Sequence, residues 1–478
     1  MKSITKSSIA NLVCAMIDPL FSMAATSYIA RVLLADGAGK VAFAQSIVIY
    51  FSALAEFGIS GYGIREIAKV KLGEKDIDII FTELMTVNFI TTTCSLMCYF
   101  GMLLFCSEFR SEKILFLVCS LAIFLNYFNV DWVFQGEEEY VYIAGRNLIV
   151  KIVSLIFIFV FVHTKDDYIK YALIVCITNG LNIMLNMCML HKFVRFTFCS
   201  ISLKRHLKPL SIFTVNNVLT SLYDKVDITL IGMLSTEMAT GYYSYAYSLI
   251  RMIMRICASI PAVLYPRLSY CYKNDQREFE RLLYLGIRIT IFIVFPASMG
   301  IFILVPQIVT IILGNDFWPA VRTFRILSIL IVIQGIADLC FQLIMATGHE
   351  EERARALWVA LLGNILLNFI FIPFWDDCGA AIACIISELG LNSYLVWKIH
   401  RKIRFQIPWR AFGQALISTV IMGIAIFIVS HFNFEPIVQC VIAIVSGIAV
   451  YGILNLLMRN ELLYLLIKKM RAALYRLQ

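Results

Sequence analysis

The chain contains 478 residues, of which 60% are hydrophobic and only 15% are charged. Soluble domains are about 25% charged, and no packed core could hide this much apolar surface from water. The composition therefore excludes a soluble protein and predicts an all-α, polytopic membrane protein. The net charge of +9 could fit a nucleic-acid-binding protein, but the basic residues lie in short segments between apolar runs. We therefore expect membrane lipids and no nucleic acid as partners.

Windows of about 20 apolar residues predict about fourteen transmembrane helices. In chain order they cover residues 8–34, 38–59, 77–106, 112–134, 147–163, 168–190, 209–233, 240–268, 283–305, 319–346, 355–374, 378–399, 411–430 and 436–458. The first resembles a signal peptide, but its apolar character continues to Leu34, so we interpret it as a retained helix. The 14 cysteines show no CxxC or Cys/His metal spacing, and we expect neither a metal nor a cofactor.

Most Lys and Arg residues lie in alternate connecting segments. Because Lys and Arg are enriched in cytoplasmic loops, this distribution places those segments and both termini in the cytoplasm. These segments cover residues 65–75, 191–208, 267–283, 400–410 and 459–478. The intervening outer loops, such as STEMAT (235–240) and HFNFEP (431–436), contain only a few residues. The sequence therefore predicts no outer domain.

A weak internal repeat divides the chain into two halves. The segment ARVLLADGAGKVAFAQSIV (30–48) resembles LIGMLSTEMATGYYSYAYSLI (230–250), since each contains a helix end, an acidic outer turn and an aromatic-rich helix. Such repeats predict two homologous six-helix bundles around a central cavity, with two additional C-terminal helices. The predicted boundaries are 1–190 and 209–400 for the bundles, 191–208 for a basic linker, and 401–478 for the last two helices with a basic amphipathic tail.

Three basic residues lie inside two consecutive apolar runs. Lys225 and Arg251 lie at similar distances from the turn that joins these runs, and Arg255 follows one helical turn later. Tyr243 and Tyr247 precede Arg251 at intervals of four, so the second helix has one polar stripe. Because ionised groups at bilayer depth are costly, we expect these five residues to face a cationic, substrate-binding cavity.

Acidic residues also lie inside the apolar runs. Asp224 and Asp227 flank Lys225, and Asp338 lies in the helix predicted at 319–346. Burial favours the protonated form of a carboxyl group, so all three are candidates for ion coupling. Two alternatives stay open: Lys225 could neutralise a neighbouring aspartate, and Asp338 could make an interhelical hydrogen bond. Arg255 could instead snorkel toward the membrane surface.

Four motifs together resemble a known family. They are FGISGYGIREIAK (57–69), YYSYAYSLIRMIMRICASIPAVLYPRLS (242–269), ILGNDFWPA (312–320) and MATGHEEE (345–352). The chain resembles bacterial polysaccharide flippases of the O-antigen (Wzx) type, within the multidrug/oligosaccharidyl-lipid/polysaccharide exporter superfamily. The resemblance implies a transporter rather than an enzyme, which moves an undecaprenyl-diphosphate-linked oligosaccharide across the bacterial inner membrane by alternating access. The polysaccharide polymerase machinery is a further expected partner, and a monomer is the expected assembly.

Other functions are weighed against this one. A membrane glycosyltransferase or polymerase needs carboxylates for acid/base chemistry, but the paired outer acids, 166–167 and 376–377, lie on very short loops. A multidrug antiporter for cationic compounds would favour acids and aromatic rings without the three bases. A lipid-linked peptidoglycan precursor or teichoic chain would satisfy the same electrostatics, so the sequence leaves the anionic cargo open.

Overall fold

A computed structural model describes residues 4–463 apart from 71–76, 107–108, 110, 198–201, 263, 348–349, 403–405, 407 and 433. The predicted amphipathic tail beyond residue 463 lies outside the described residues, as do the side chains of most of the motif at 345–352. The regular structure of the described residues is entirely helical. The predicted all-α class is therefore confirmed.

The described residues form α-helices that are joined by short turns. Their bounds are α1 Ile4–Glu56, α2 Ile59–Val70, α3 Ile77–Phe105, α4 Lys113–Leu125, α5 Asp131–Gly136, α6 Tyr140–Phe161, α7 Tyr168–Leu190, α8 Lys204–Leu234, α9 Glu237–Ala262, α10 Tyr265–Asn274, α11 Gln276–Ile308, α12 Val321–Ser328, α13 Leu330–Thr347, α14 Glu350–Lys402, α15 Trp409–Ser430 and α16 Pro436–Leu457. Short 3₁₀ or π-helical turns separate several of them.

Nine helical segments among the described residues are long and apolar enough to cross a membrane. Two of these, Phe21–Lys69 and Glu352–Arg401, each contain a point where the helical conformation is interrupted. The interruptions lie at Leu34, with φ 58°, and at Asp376, with φ 47°. Both fall where the sequence predicted a turn between consecutive helices. The multi-pass architecture is therefore confirmed, whereas the total of fourteen helices stays a prediction.

The predicted helix at 112–134 is wrong, because the structure breaks it into two helices. Helix α4 ends at Leu125, a 3₁₀ turn follows at Asn126–Phe128, and α5 begins at Asp131. The side chain of Asn126 donates to Asn88 and Thr92, while the Asn88 amide donates to the Asn126 carbonyl at 2.7 Å. Tertiary hydrogen bonds thus replace the α-helical ladder at this point, and a hydropathy window cannot detect them.

The chain packs as two compact units, residues 1–241 and 242–478. In the first unit, α1 packs against α3, α4, α6 and α8. One core of this unit surrounds Tyr99 and Phe116, and another surrounds Phe81, Trp132 and Phe134. The unit boundaries follow packing, whereas the predicted bundle boundaries follow internal repetition, so the latter stay a prediction.

In the second unit, α11 is the central helix and packs against α12, α13, α15 and α16. Leu304 of α11, Met422 and Ile426 of α15, and Ala443 and Tyr451 of α16 form one buried cluster. The Tyr451 hydroxyl donates to the Phe292 carbonyl at 3.0 Å, which fixes α16 against α11. The opposite faces of α15 and α16 carry exposed aliphatic side chains, as expected of helices that face lipid.

Two glycines allow the interruption of α1 to approach the start of α9. A Cβ atom built on Gly39 would lie 1.8 Å from the Glu237 carbonyl oxygen, and one built on Gly241 would lie 2.1 Å from the Ala35 carbonyl oxygen. Only a residue without a side chain permits this distance between backbones. The two segments that formed the weak sequence repeat are therefore in direct contact within the first unit.

A buried polar cluster, here called the Glu83 clasp, joins α2, α3 and the start of α8. Glu83 is fully buried and receives hydrogen bonds from the backbone N–H of Ser202, at 2.7 Å, and from the Arg205 guanidinium. His206 lies 2.7 Å from the same carboxylate through Nε2, and its Nδ1 lies 2.9 Å from the Tyr62 hydroxyl. A buried carboxylate is tolerated when it is paired in this way. The clasp therefore fixes the end of the predicted basic linker to the first unit.

Reporter fusions test the predicted topology. Fusions after Thr236 and Asp377 are expected to be extracytoplasmic, and fusions after Lys204 and Gln478 cytoplasmic, because the Lys/Arg-rich segments should stay inside. Thr236 lies in the short turn between α8 and α9, so its side of the membrane reports on both helices. Paired alkaline phosphatase and green fluorescent protein fusions measure this. A cytoplasmic signal at Thr236 would contradict the predicted order of helices.

Candidate functional site

The predicted cationic centre is divided between the two units. Asp224, Lys225 and Asp227 lie on α8 of the first unit, whereas Tyr243, Tyr247, Arg251 and Arg255 lie on α9, and Asp338 on α13, of the second. Their predicted common site therefore stays a prediction, and each group is considered within its own unit.

On α8, the stretch that contains Asp224, Lys225 and Asp227 continues into a hydrogen-bonded contact with α1. The Thr229 hydroxyl lies 2.7 Å from the Tyr50 hydroxyl and donates to Ser46 Oγ at 2.8 Å. Asp227, two residues earlier, is 7% exposed, and Lys225 is half-buried. Asp224, Lys225 and Asp227 thus lie directly N-terminal to a polar contact between α8 and α1.

On α9, three of the predicted residues form one row. The rings of Tyr243 and Tyr247 are stacked, with centroids 5.8 Å apart and planes inclined by 13°. The guanidinium carbon of Arg251 lies 5.5 Å from the Tyr247 ring centroid, so cation–π attraction orients the cation along the helix. Arg255 is exposed one turn farther along, and Asp338 is half-buried on α13. The roles predicted for these residues stay predictions.

The first unit contains a cavity of about 550 Å³ that sequence reasoning missed. Side chains from α1, α2, α4, α5, α6 and α7 line it. The charged members are Glu56, Asp131 and Arg146. Five asparagines also line it, namely Asn126, Asn129, Asn179, Asn182 and Asn186. Because carboxamides dominate its polar lining, we call it the amide cavity.

Arg146 is the organising residue of the amide cavity. Its side chain is only 5% exposed, and its Nη1 atom donates to Asp131 Oδ1 at 2.7 Å and to Asn186 Oδ1 at 2.5 Å. Its Nη2 and Nε atoms donate to Asn147 Oδ1 at 2.8 and 3.2 Å. Asn186 in turn donates to Asp131 Oδ1 at 3.0 Å, and Gln135 donates to Asp131 Oδ2 at 3.1 Å. The network holds α5, α6 and α7 together at the cavity wall.

One acceptor of the cavity is left without a donor. Asn182 Oδ1 is buried and accepts no hydrogen bond from any described residue. An unsatisfied buried carbonyl oxygen costs about 1–3 kcal/mol, so a donor from a bound molecule would be favoured there. In the part of the chain that the structure describes, no three His, Cys, Asp or Glu side chains are placed to hold a metal ion. The amide cavity thus presents several hydrogen-bonding side chains and one unsatisfied acceptor.

Sequence reasoning missed this cavity for identifiable reasons. The predicted helix at 147–163 began one residue after Arg146, and Asp131 was counted within an apolar helix. Asparagines carry no charge and so gave no electrostatic signal. A signal was nevertheless present, because Asn179, Asn182 and Asn186 are separated by three and four residues and so share one face of α7.

Comparisons with known proteins identify the family. Residues 4–271 match the family described as "Polysaccharide biosynthesis protein". A putative O-antigen transporter of Escherichia coli is 20% identical over 376 residues, which cover 77% of this chain and 90% of that protein. The probable low-salt glycan biosynthesis flippase Agl15 of Haloferax volcanii is 25% identical over 242 residues, which span about half of each protein, 49% and 50%.

Solved structures share the fold of this chain. A lipid II flippase MurJ in an inward closed conformation superposes with a TM-score of 0.75 at 18% identity, covering 95% of this chain and 99% of that one. An inward-facing multidrug resistance MATE transporter gives a TM-score of 0.61 at 13% identity, with 82% and 97% covered. The family match and the sequence relatives confirm the resemblance that the motifs indicated. The chain belongs to the polysaccharide biosynthesis protein family.

Proposed function

We propose that the protein is a flippase that moves an undecaprenyl-diphosphate-linked oligosaccharide, such as an O-antigen repeat unit, across the bacterial inner membrane by alternating access. The names of its relatives, which include an O-antigen transporter and a glycan biosynthesis flippase, support a lipid-linked saccharide as cargo. The observation that carries the proposal is the amide cavity, a polar space within a unit of apolar, membrane-length helices.

The polar part of the cargo needs hydrogen-bonding partners inside the membrane. A saccharide presents hydroxyl groups that both donate and accept hydrogen bonds, and it cannot cross hydrocarbon without replacing its bonds to water. A carboxamide side chain offers one acceptor and two donors, so it matches hydroxyl groups without adding charge. Five asparagines around one cavity provide that match inside the membrane-spanning unit.

The main alternative, a multidrug antiporter, is less well supported. The structural similarity to a MATE transporter, at 13% identity, reflects the fold alone. Cationic drugs are commonly held by aromatic rings as well as by acids. None of the described side chains that line the amide cavity is aromatic. The lining therefore favours a hydroxyl-rich cargo over an apolar cation.

Removal of the protein tests the proposed function. We expect the lipid-linked oligosaccharide to accumulate in the inner leaflet and the surface polysaccharide to be lost, because the polar headgroup cannot cross unaided. Mass spectrometry of extracted lipids, combined with glycosidase accessibility in inverted vesicles, measures both effects. Re-expression of the intact chain is the control and should restore surface polysaccharide. Loss of the protein without accumulation of any lipid-linked saccharide would contradict the proposal.

A further inference from the structure

We infer that the amide cavity admits uncharged sugars and discriminates against sugars that carry carboxylate, sulfate or phosphate groups. The inference rests on the proposed flippase function and names the class of headgroup sugar that enters this cavity. It concerns the saccharide only, since the diphosphate of the lipid carrier is a separate group.

The first step is that Arg146 is already engaged by the protein. A guanidinium group has five N–H donors. Four hydrogen bonds from Arg146 go to Asp131, Asn186 and Asn147, with the last residue accepting two of them. A bidentate grip on a carboxylate or phosphate needs two parallel donors. Arg146 therefore cannot recognise an acidic sugar without giving up bonds to its own partners.

The second step is the charge balance of the lining. Two carboxylates, those of Glu56 and Asp131, lie in the cavity wall with a single guanidinium, that of Arg146. Asp131 is paired with Arg146, whereas no hydrogen bond or ion pair joins Glu56 to another described residue. The lining is thus net negative. A second negative charge brought into such a space from water is disfavoured, because repulsion is strong where the dielectric constant is low.

The third step is that neutral sugars find partners there. The buried Asn182 Oδ1 needs a donor, and either a hydroxyl group or the N–H of an acetamido group supplies one. Glu56 is an acceptor for further hydroxyl groups, as carboxylates accept strong hydrogen bonds. Glu56 therefore has two effects on specificity, since it binds hydroxyl groups and repels acids.

The test uses two probes that differ in one group. The first is a neutral trisaccharide of hexose and N-acetylhexosamine, and the second is the same trisaccharide with one hexose oxidised to the hexuronic acid. Binding of each to the purified full-length protein is measured by saturation-transfer NMR. Flipping of both trisaccharides, linked to undecaprenyl diphosphate, is measured in reconstituted vesicles. We expect the neutral probe to be preferred by about tenfold or more in both measurements, as like-charge repulsion in a cavity requires.

Glu56→Gln is the informative variant, because glutamine keeps the size and shape of glutamate and one acceptor oxygen but removes the negative charge. We expect this variant to reduce the preference to about threefold or less by improving binding of the acidic probe. Asp36→Asn is the matched control, since it removes one negative charge from the same helix at a side chain that is 49% exposed and lies outside the cavity. The control should keep the full preference. Thermal unfolding of both variants confirms that they are folded.

The outcomes separate this inference from the proposed function. Equal binding of the two probes, preference for the acidic probe, or no binding of either would overturn the inference. Flipping of both lipid-linked probes at one rate would also overturn it, while leaving the flippase function intact. Selective binding that depends on Glu56 without any flipping would support the inference and contradict the proposed function. A preference unchanged in Glu56→Gln would overturn the role of this residue and, with it, the inference.

Discussion

Replacement of Arg146 by alanine is expected to destabilise the protein by about 3 kcal/mol or more, because it leaves a carboxylate without its cation inside the first unit. Asp131 Oδ1 would lose its 2.7 Å ion pair, and the acceptor oxygens of Asn186 and Asn147 would lose their donors as well. Arg146→Lys should recover only part of the stability, since one ammonium group cannot reach three partners in this geometry. Thermal unfolding of purified protein and its abundance in membranes measure the effect.

Two further variants make this prediction specific. In Arg146→Ala combined with Asp131→Asn, the unpaired charge is gone, so we expect a substantial part of the lost stability to return. Arg281→Ala is the matched control, because the Arg281 side chain is 81% exposed and its ion pair with Glu278 spans 3.4 Å. Such surface pairs are worth about 0–1 kcal/mol. Equal stability of Arg146→Ala and Arg281→Ala would show that the buried network does not hold α5, α6 and α7 together.

Replacement of Arg251 by alanine is expected to abolish flipping while the protein stays folded. Arg251 continues the stacked row of Tyr243 and Tyr247 on α9. If the protein has the proposed function, we expect this cation to bind the diphosphate of the lipid carrier. Arginine can grip a phosphate with two parallel hydrogen bonds, which lysine cannot reproduce. Arg251→Lys should therefore retain only partial flipping. Surface polysaccharide and membrane abundance are measured together for each variant.

A structural role for Arg251 makes a different prediction. If Arg251 is needed only for folding, then Arg251→Ala should reduce the amount of folded protein in membranes. Arg255→Ala is the comparison on the same helix, one turn farther along, where the side chain is exposed. Normal polysaccharide from a stably expressed Arg251→Ala variant would contradict the proposed role of Arg251.

The sequence predicted helices well where lipid dictates composition. The prediction at 168–190 matches α7, and those at 77–106 and 436–458 differ from α3 and α16 by one residue. A helix that contacts hydrocarbon must be apolar over about 20 residues, so hydropathy alone defines it. Helix α8 begins at Lys204 rather than at 209, so Pro209 lies inside the helix, where it removes one backbone N–H donor.

The sequence predicted the structure less well where contacts between helices determine it. The end of α4 depends on a hydrogen bond between Asn126 and Asn88. These residues are 38 positions apart, so no local sequence pattern can predict the bond. The amide cavity was missed because the prediction relied on ionised groups, and its main lining residues are neutral. The row on α9 followed from spacing by fours, but the tertiary contacts of such a row could not be deduced from one helix. Tertiary hydrogen bonds therefore account for most of the differences.

The Glu83 clasp has a consequence for biosynthesis. Glu83 precedes Arg205 by 122 residues and His206 by 123, so the ribosome delivers the acid long before either partner. Chains emerge from the N-terminus onward, and an unpaired buried carboxylate is costly. During this interval neither Arg205 nor His206 is available to the Glu83 carboxylate. The clasp can therefore form only after the start of α8 has been synthesised, and a nascent chain arrested before residue 205 lacks both side-chain partners of Glu83.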